Sequence, residues 1–123
     1  MKKLLVVEDH VGLRESYQML FIREGYDVTL AEDGKSGLEL AQAQDFDIIM
    51  LDMLMPIMDG ISFLRQFVPA DHPKTKIIAF SNLQTPEIVS EAMDLGVKRY
   101  VTKAVTPPGK MAELVREVVN EDY

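Results

Sequence analysis

Five short apolar runs recur along the chain, at about Lys3–Glu8, Asp27–Ala31, Ile48–Asp52, Lys76–Phe80 and Arg99–Thr102, and stretches of helical periodicity separate them. Such alternation reads as an α/β fold with a parallel sheet. The first, third and fourth runs are apolar at successive positions, as central strands covered on both faces must be, whereas Asp27-Val28-Thr29-Leu30 alternates and reads as an edge.

The intervening stretches carry their own boundary signals. A first helix from about Val11 places Leu13, Tyr17, Leu20 and Phe21 on one face, and Gly25 supplies a left-handed stop. Asp33 can cap a second helix over Gly34 to Gln44. A third follows Gly60 and should bury Ile61, Leu64, Phe67 and Val68 before Pro69 and Pro73 break the pattern. Thr85 caps and Pro86 opens a fourth, which Gly96 ends; Thr106 should cap a fifth whose inward stripe is Met111, Leu114, Val115 and Val118. The polar end Asn120–Tyr123 is expected to fray.

At 123 residues the chain is read as one domain, 1–123, large enough to bury roughly two thirds of its unfolded surface. Cysteine is absent, which excludes disulfides and thiolate metal sites. Glu8 and Asp9 interrupt the apolar stretch after Met1-Lys2-Lys3 too early for a signal peptide or membrane span, so a cytoplasmic protein with a native start is expected. A net charge of -7 with scattered basic residues opposes direct nucleic-acid binding.

Chemistry-bearing side chains stand at the carboxyl ends of the apolar runs, where open parallel sheets keep their sites. Glu8 and Asp9 close the first run, Asp52 the third, Ser81 the fourth and Lys103 the fifth. Right-handed crossovers bring these ends to one rim. Carboxylates so placed repel by about 4 kcal/mol for a pair 4 Å apart at an effective dielectric near 20. Magnesium suits the required compensation, because it takes oxygen ligands and usually one or two carboxylates plus a phosphoryl oxygen. Lys103 supplies the remaining positive charge. The pattern suits phosphoryl transfer, which needs positioning and charge neutralisation rather than a strong base, with an aspartate as covalent acceptor.

Taken singly, each of these residues also has an ordinary reading. Asp52 is then a strand-end carboxylate or cap, Glu8-Asp9 a cap for the first helix, Lys103 a solvated lysine and Ser81 a strand-ending hydroxyl. Tyr100 is a half-buried packing residue, Asp59 a loop stabiliser, His10 and His72 solvated or loop residues. Met50, Met53, Met55 and Met58 are packing residues, since thioethers are poor magnesium ligands.

Taken together, the acidic pair Glu8-Asp9, Asp52 with Met55-Pro56 and Asp59-Gly60 behind it, Ser81 and Lys103 stand in an order that resembles the receiver domain of two-component response regulators, across essentially the whole chain. The resemblance implies a flavodoxin-like, doubly wound sheet of five parallel strands in order 2-1-3-4-5 with five helices. It implies that Asp52 accepts a phosphoryl group from a phosphohistidine on a sensor histidine kinase or phosphotransfer protein. Glu8, Asp9, Asp52 and the backbone carbonyl of Leu54 would hold Mg2+, Ser81 and Lys103 would bind phosphoryl oxygens, and Ser81 with Tyr100 would form the switch. The output would be a surface change around the fourth helix, fifth strand and fifth helix, read by a downstream protein target or effector domain and suited to homodimerisation.

Four positions depart from the family's pattern. Asn82 follows Ser81 where a small residue is usual, Ala104 follows Lys103 where a proline in a cis peptide is usual, and Leu54 and Leu83 are apolar at positions that border the attacking water. Without proline the Lys103-Ala104 peptide is expected to be trans, and the apolar pair to prolong the life of the phosphorylated state. Two other classes stay open. One is a phosphatase or phosphotransferase with Asp52 as nucleophile, against which Leu54 stands where haloacid-dehalogenase-type enzymes carry a second acid. The other is a degenerate receiver that acts as a phosphorylation-independent docking or dimerisation module.

Overall fold

Every apolar run becomes a strand and every periodic stretch a helix in the computed structural model, which describes residues 1–82 and 85–121. The order is β1 (Lys3–Val7), α1 (Val11–Arg23), β2 (Asp27–Ala31), α2 (Gly34–Ala43), β3 (Ile48–Asp52), α3 (Gly60–Gln66), β4 (Lys76–Ser81), α4 (Pro86–Asp94), β5 (Arg99–Thr102) and α5 (Pro108–Asn120). Short 3-10 turns cover Pro69–Asp71 and Lys103–Val105. All strands are parallel and their order is β2-β1-β3-β4-β5, as expected.

Strand periodicity divides the core into two layers. Leu4 and Val6 of β1, Ile48 and Met50 of β3, and Ile78 and Phe80 of β4 pack with Tyr17 and Phe21 of α1 and Met111, Val115 and Val118 of α5. The alternate residues Leu5, Val7, Ile49, Leu51, Ile77 and Ala79 pack instead against Leu38, Ile61, Phe63, Leu64 and Ala92 of α2, α3 and α4. Met53 and Met55 join that second layer and Met50 the first, so these methionines are packing residues.

Several boundaries differ in detail from the sequence reading. The cap of α1 is His10, neither Glu8 nor Asp9: its Nδ1 accepts the Leu13 N–H at 3.2 Å. Asp33, Asp59 and Thr85 cap α2, α3 and α4 through their side chains, and Gly25 and Gly96 take the left-handed conformation at φ 96° and 107°. Thr106 does not cap α5; Pro107 stands at that position without a side-chain cap, and a second proline opens the helix. The third helix stops at Gln66, so Phe67 is buried beyond its end and Val68 is exposed.

The end of α5 is anchored rather than frayed through Glu121. Lys76 is buried at the start of β4 and donates from Nζ to the Val118 carbonyl at 2.8 Å, to that of Val119 at 3.4 Å and to that of Glu121. An ammonium at a helix C-terminus meets both the orphan carbonyls and the negative end of the dipole. Glu121 also pairs with Arg99. Asp122 and Tyr123, also expected to fray, lie outside the described residues.

Candidate functional site

Register sets the site. β1 and β3 pair from Leu4 opposite Ile48 to Val7 opposite Leu51. The next residues, Glu8 and Asp52, therefore stand side by side, both on the α1–α5 side of the sheet by the alternation of faces. Glu8 is fully buried and Asp52 nearly so. Lys103, one residue past β5, donates from Nζ to Glu8 Oε1 at 2.7 Å and to Asp52 Oδ2 at 2.9 Å. Its ammonium also lies 5.0 Å from the centre of the Phe80 ring. Phe80 meets Tyr17 edge-on at 5.5 Å, so an aromatic floor underlies the acids.

Burial in this pocket opposes charge. The Glu8 carboxyl is pushed up to about 8, first by desolvation and then by its hydrogen bond to Asp52, with Lys103 acting in the opposite direction. Burial pulls the Lys103 ammonium down, but its hydrogen bonds to Glu8 and Asp52 more than offset this and leave it raised. Tyr17 is pushed up to about 12 by burial and by the charges of Glu8 and Asp52.

Asp9 completes the acidic group. It is exposed, and Glu8, Asp9 and Asp52 each offer a carboxylate oxygen, all within 4.8 Å of one another. Three hard oxygen donors, one of them open to solvent, fit an ion that keeps waters in its shell, as magnesium does. The backbone around the group is pinned: the Asp9 N–H donates to Glu8 Oε2 at 3.1 Å, and the Leu54 N–H donates to Asp52 Oδ1 at 3.1 Å. Arg14 donates from Nη1 to the Glu8 and Asp9 carbonyls at 2.8 and 3.3 Å. Nothing in the sequence marks Arg14, beyond its place one helical turn after His10.

Ser81 and Tyr100 meet on the other side of the sheet end. Ser81 follows Ile77 and Ala79 in strand parity and is buried, and its side chain hydrogen-bonds Tyr100. Burial raises the Tyr100 phenol, against the opposite pull of that hydrogen bond. Asn82 is exposed, and its Oδ1 accepts the Ala104 N–H at 2.9 Å. The Lys103-Ala104 peptide is trans, as expected for a bond that precedes alanine. Leu83 lies outside the described residues.

Exposed apolar side chains follow the strand ends that carry the acids and the lysine: Val11 at the start of α1, Leu54 and Ile57 after β3, and Val105 in the turn after β5. Ile57 stands at φ 72° in a γ-turn that the Met58 N–H closes on the Pro56 carbonyl at 2.8 Å. A β-branched residue rarely adopts this conformation.

A parallel sheet in this order, with acids and a lysine gathered at its carboxyl rim, defines the class of the protein. The family model described as response regulator receiver domain matches residues 4–116, and the chain belongs to that family. It is 37% identical over 101 residues to the transcriptional regulatory protein DltR of Streptococcus agalactiae, covering 82% of this chain and 45% of that protein. It is 34% identical over 104 residues to the chemotaxis protein CheY of Treponema pallidum, covering 82% of this chain and 72% of that one. The solved structure of CheY4 from Vibrio cholerae superposes with a TM-score of 0.85 at 28% identity, covering 96% of this chain and 98% of that one. The chain spans less than half the length of DltR. It is thus a receiver domain of the two-component response regulators, a signalling module rather than a conventional enzyme. Among the described residues, no helix is long and apolar enough to cross a membrane.

Proposed function

We propose that this receiver is a phosphoacceptor switch and that Asp52 is its acceptor. A carboxylate oxygen of Asp52 attacks the phosphorus of a phosphohistidine, the P–N bond breaks, and the imidazole leaves with a proton from solvent. The observation that carries this reading is the Lys103 ammonium shared between Glu8 and Asp52 at 2.7 and 2.9 Å. That cation stands ready for the charge on the transferred group. Glu8, Asp9, Asp52 and the Leu54 carbonyl would hold magnesium. When bound, the ion screens the acceptor carboxylate from an anionic donor.

Ser81 then donates its hydroxyl to a phosphoryl oxygen, which alters its bond to Tyr100 on β5. The surface of α4, β5 and α5 follows, and a target protein, an effector domain or a second copy reads it. The exposed apolar side chains Val11, Leu54, Ile57 and Val105, all just beyond the carboxyl ends of β1, β3 and β5, support a protein as the phosphoryl donor, since exposed apolar surface marks contact sites.

Mass spectrometry after incubation with phosphoramidate and Mg2+ tests the assignment. The wild type should gain one phosphate, and Asp52→Asn none. A wild type that stays unlabelled while still binding its partner would make the chain a phosphorylation-independent docking module instead.

A further inference from the structure

The two residues that depart from the family's pattern beside Ser81 and Lys103 are bonded to each other. The β4–β5 ladder ends at the rung between Ser81 and Thr102. The Ala104 N–H therefore lies beyond the last strand partner, at the start of the turn Lys103–Val105, for which Thr102 offers no side-chain cap. Asn82 supplies the acceptor across the gap, at 2.9 Å from its Oδ1. One side chain thus extends the ladder by a rung, and the residues flanking that rung are Ser81 and Lys103.

We propose that Asn82 is a positioning residue for phosphoryl transfer, which by holding the Ala104 amide fixes the Ser81 hydroxyl and the Lys103 ammonium relative to each other before the donor arrives. The proposal rests on Asp52 being the acceptor. Lys103 gains from such a tie, because the chain that carries it past β5 is exposed at Ala104 and Val105, where the Thr106 N–H donates to the Lys103 carbonyl at 3.4 Å. Donors placed in advance around the reacting oxygens favour transfer, and small displacements of them slow it. Ala104 is the other half of the device, since a proline there would have no N–H to give.

The test is phosphate uptake by the full chain from phosphoramidate, with Asn82→Ala, Ala104→Pro, the double variant, and Ala104→Gly, which keeps the N–H. Asn82→Ala and Ala104→Pro should each slow uptake at saturating donor by about fivefold, the factor a single exposed hydrogen bond carries. The double variant should be no slower than the slower single, and Ala104→Gly should match wild type. The Mg2+ concentration for half-maximal uptake should not move in Asn82→Ala; a merely structural defect would not separate rate from metal affinity in this way. By NMR, the Ala104 amide should exchange about fivefold faster in Asn82→Ala than in wild type, a readout that stands even if Ala104→Pro fails to fold. Uptake in Asn82→Ala that is unchanged or faster, single effects that multiply in the double variant, or an Ala104 amide that exchanges equally fast in both proteins would overturn the proposal. A wild type that takes no phosphate on Asp52 would overturn the acceptor assignment and the latch together. Labelling of Asp52 with no Asn82 effect would overturn the latch alone.

Discussion

Glu8 makes the folded protein sensitive to pH in a direction opposite to that of most carboxylates. Its folded value of about 8 lies above the ordinary 4.5 because burial disfavours its charge. Between those two values the native state holds a proton that the unfolded chain releases. The contribution is therefore fully present below pH 4.5 and is lost as pH rises through about 8, at about 1.4 kcal/mol per pH unit. From pH 6 to pH 8 the metal-free protein should lose about 2–3 kcal/mol from this group. Glu8→Gln keeps the shape and a hydrogen-bonding head without the titration, so its stability should exceed the wild type's by a margin that grows over the same range. Urea unfolding followed by circular dichroism in EDTA, at several pH values, measures both; fluorescence is ill suited, since the chain has no tryptophan. Magnesium needs the ionised form, so its apparent affinity should rise by up to about tenfold per pH unit below pH 8, with proton release on binding. Parallel stability curves for wild type and Glu8→Gln between pH 6 and pH 8 would refute the reasoning.

Three substitutions test the surrounding architecture by urea unfolding. Ile57→Gly should leave stability level or raise it by about 1 kcal/mol, because relief at φ 72° outweighs the entropy of glycine and little buried surface is lost; a clear loss would show that the γ-turn is unstrained. Gly34→Ala should destabilise by at least about 2 kcal/mol, since its Cβ would lie 2.1 Å from the Met58 carbonyl oxygen, and should disturb the loop behind Asp52. Lys76→Met should cost about 2–3 kcal/mol by stripping the charged cap from the end of α5; an unchanged midpoint would mean that water replaces the ammonium without loss.

Much of this protein is written in short-range pattern. Apolar runs of strand length alternate with helical stripes, and that local rhythm sufficed for the element order and the two-sided core, because strand and helix periods repeat within a few residues. The residue types at the strand ends likewise pointed to a rim of acids and a lysine, and Asp33 and Thr85 announced their caps, whereas Asp59, which reads as a loop stabiliser, caps α3. Single positions at helix ends were less legible: a histidine rather than an acid caps α1, and Pro107 rather than Thr106 precedes α5, because a cap depends on where the chain enters the helix. Only the tertiary structure could decide which of the strand-end groups touch. Lys103 reaches Glu8 across 95 positions of sequence and Asp52 across 51, and the β1–β3 register that sets those two acids side by side is fixed by how both core layers interlock. The same holds for Asn82 with Ala104 and for Lys76 with the end of α5. Each contact joins segments whose own sequences carry no trace of the partner, so it exists only once packing has placed the two ends within reach.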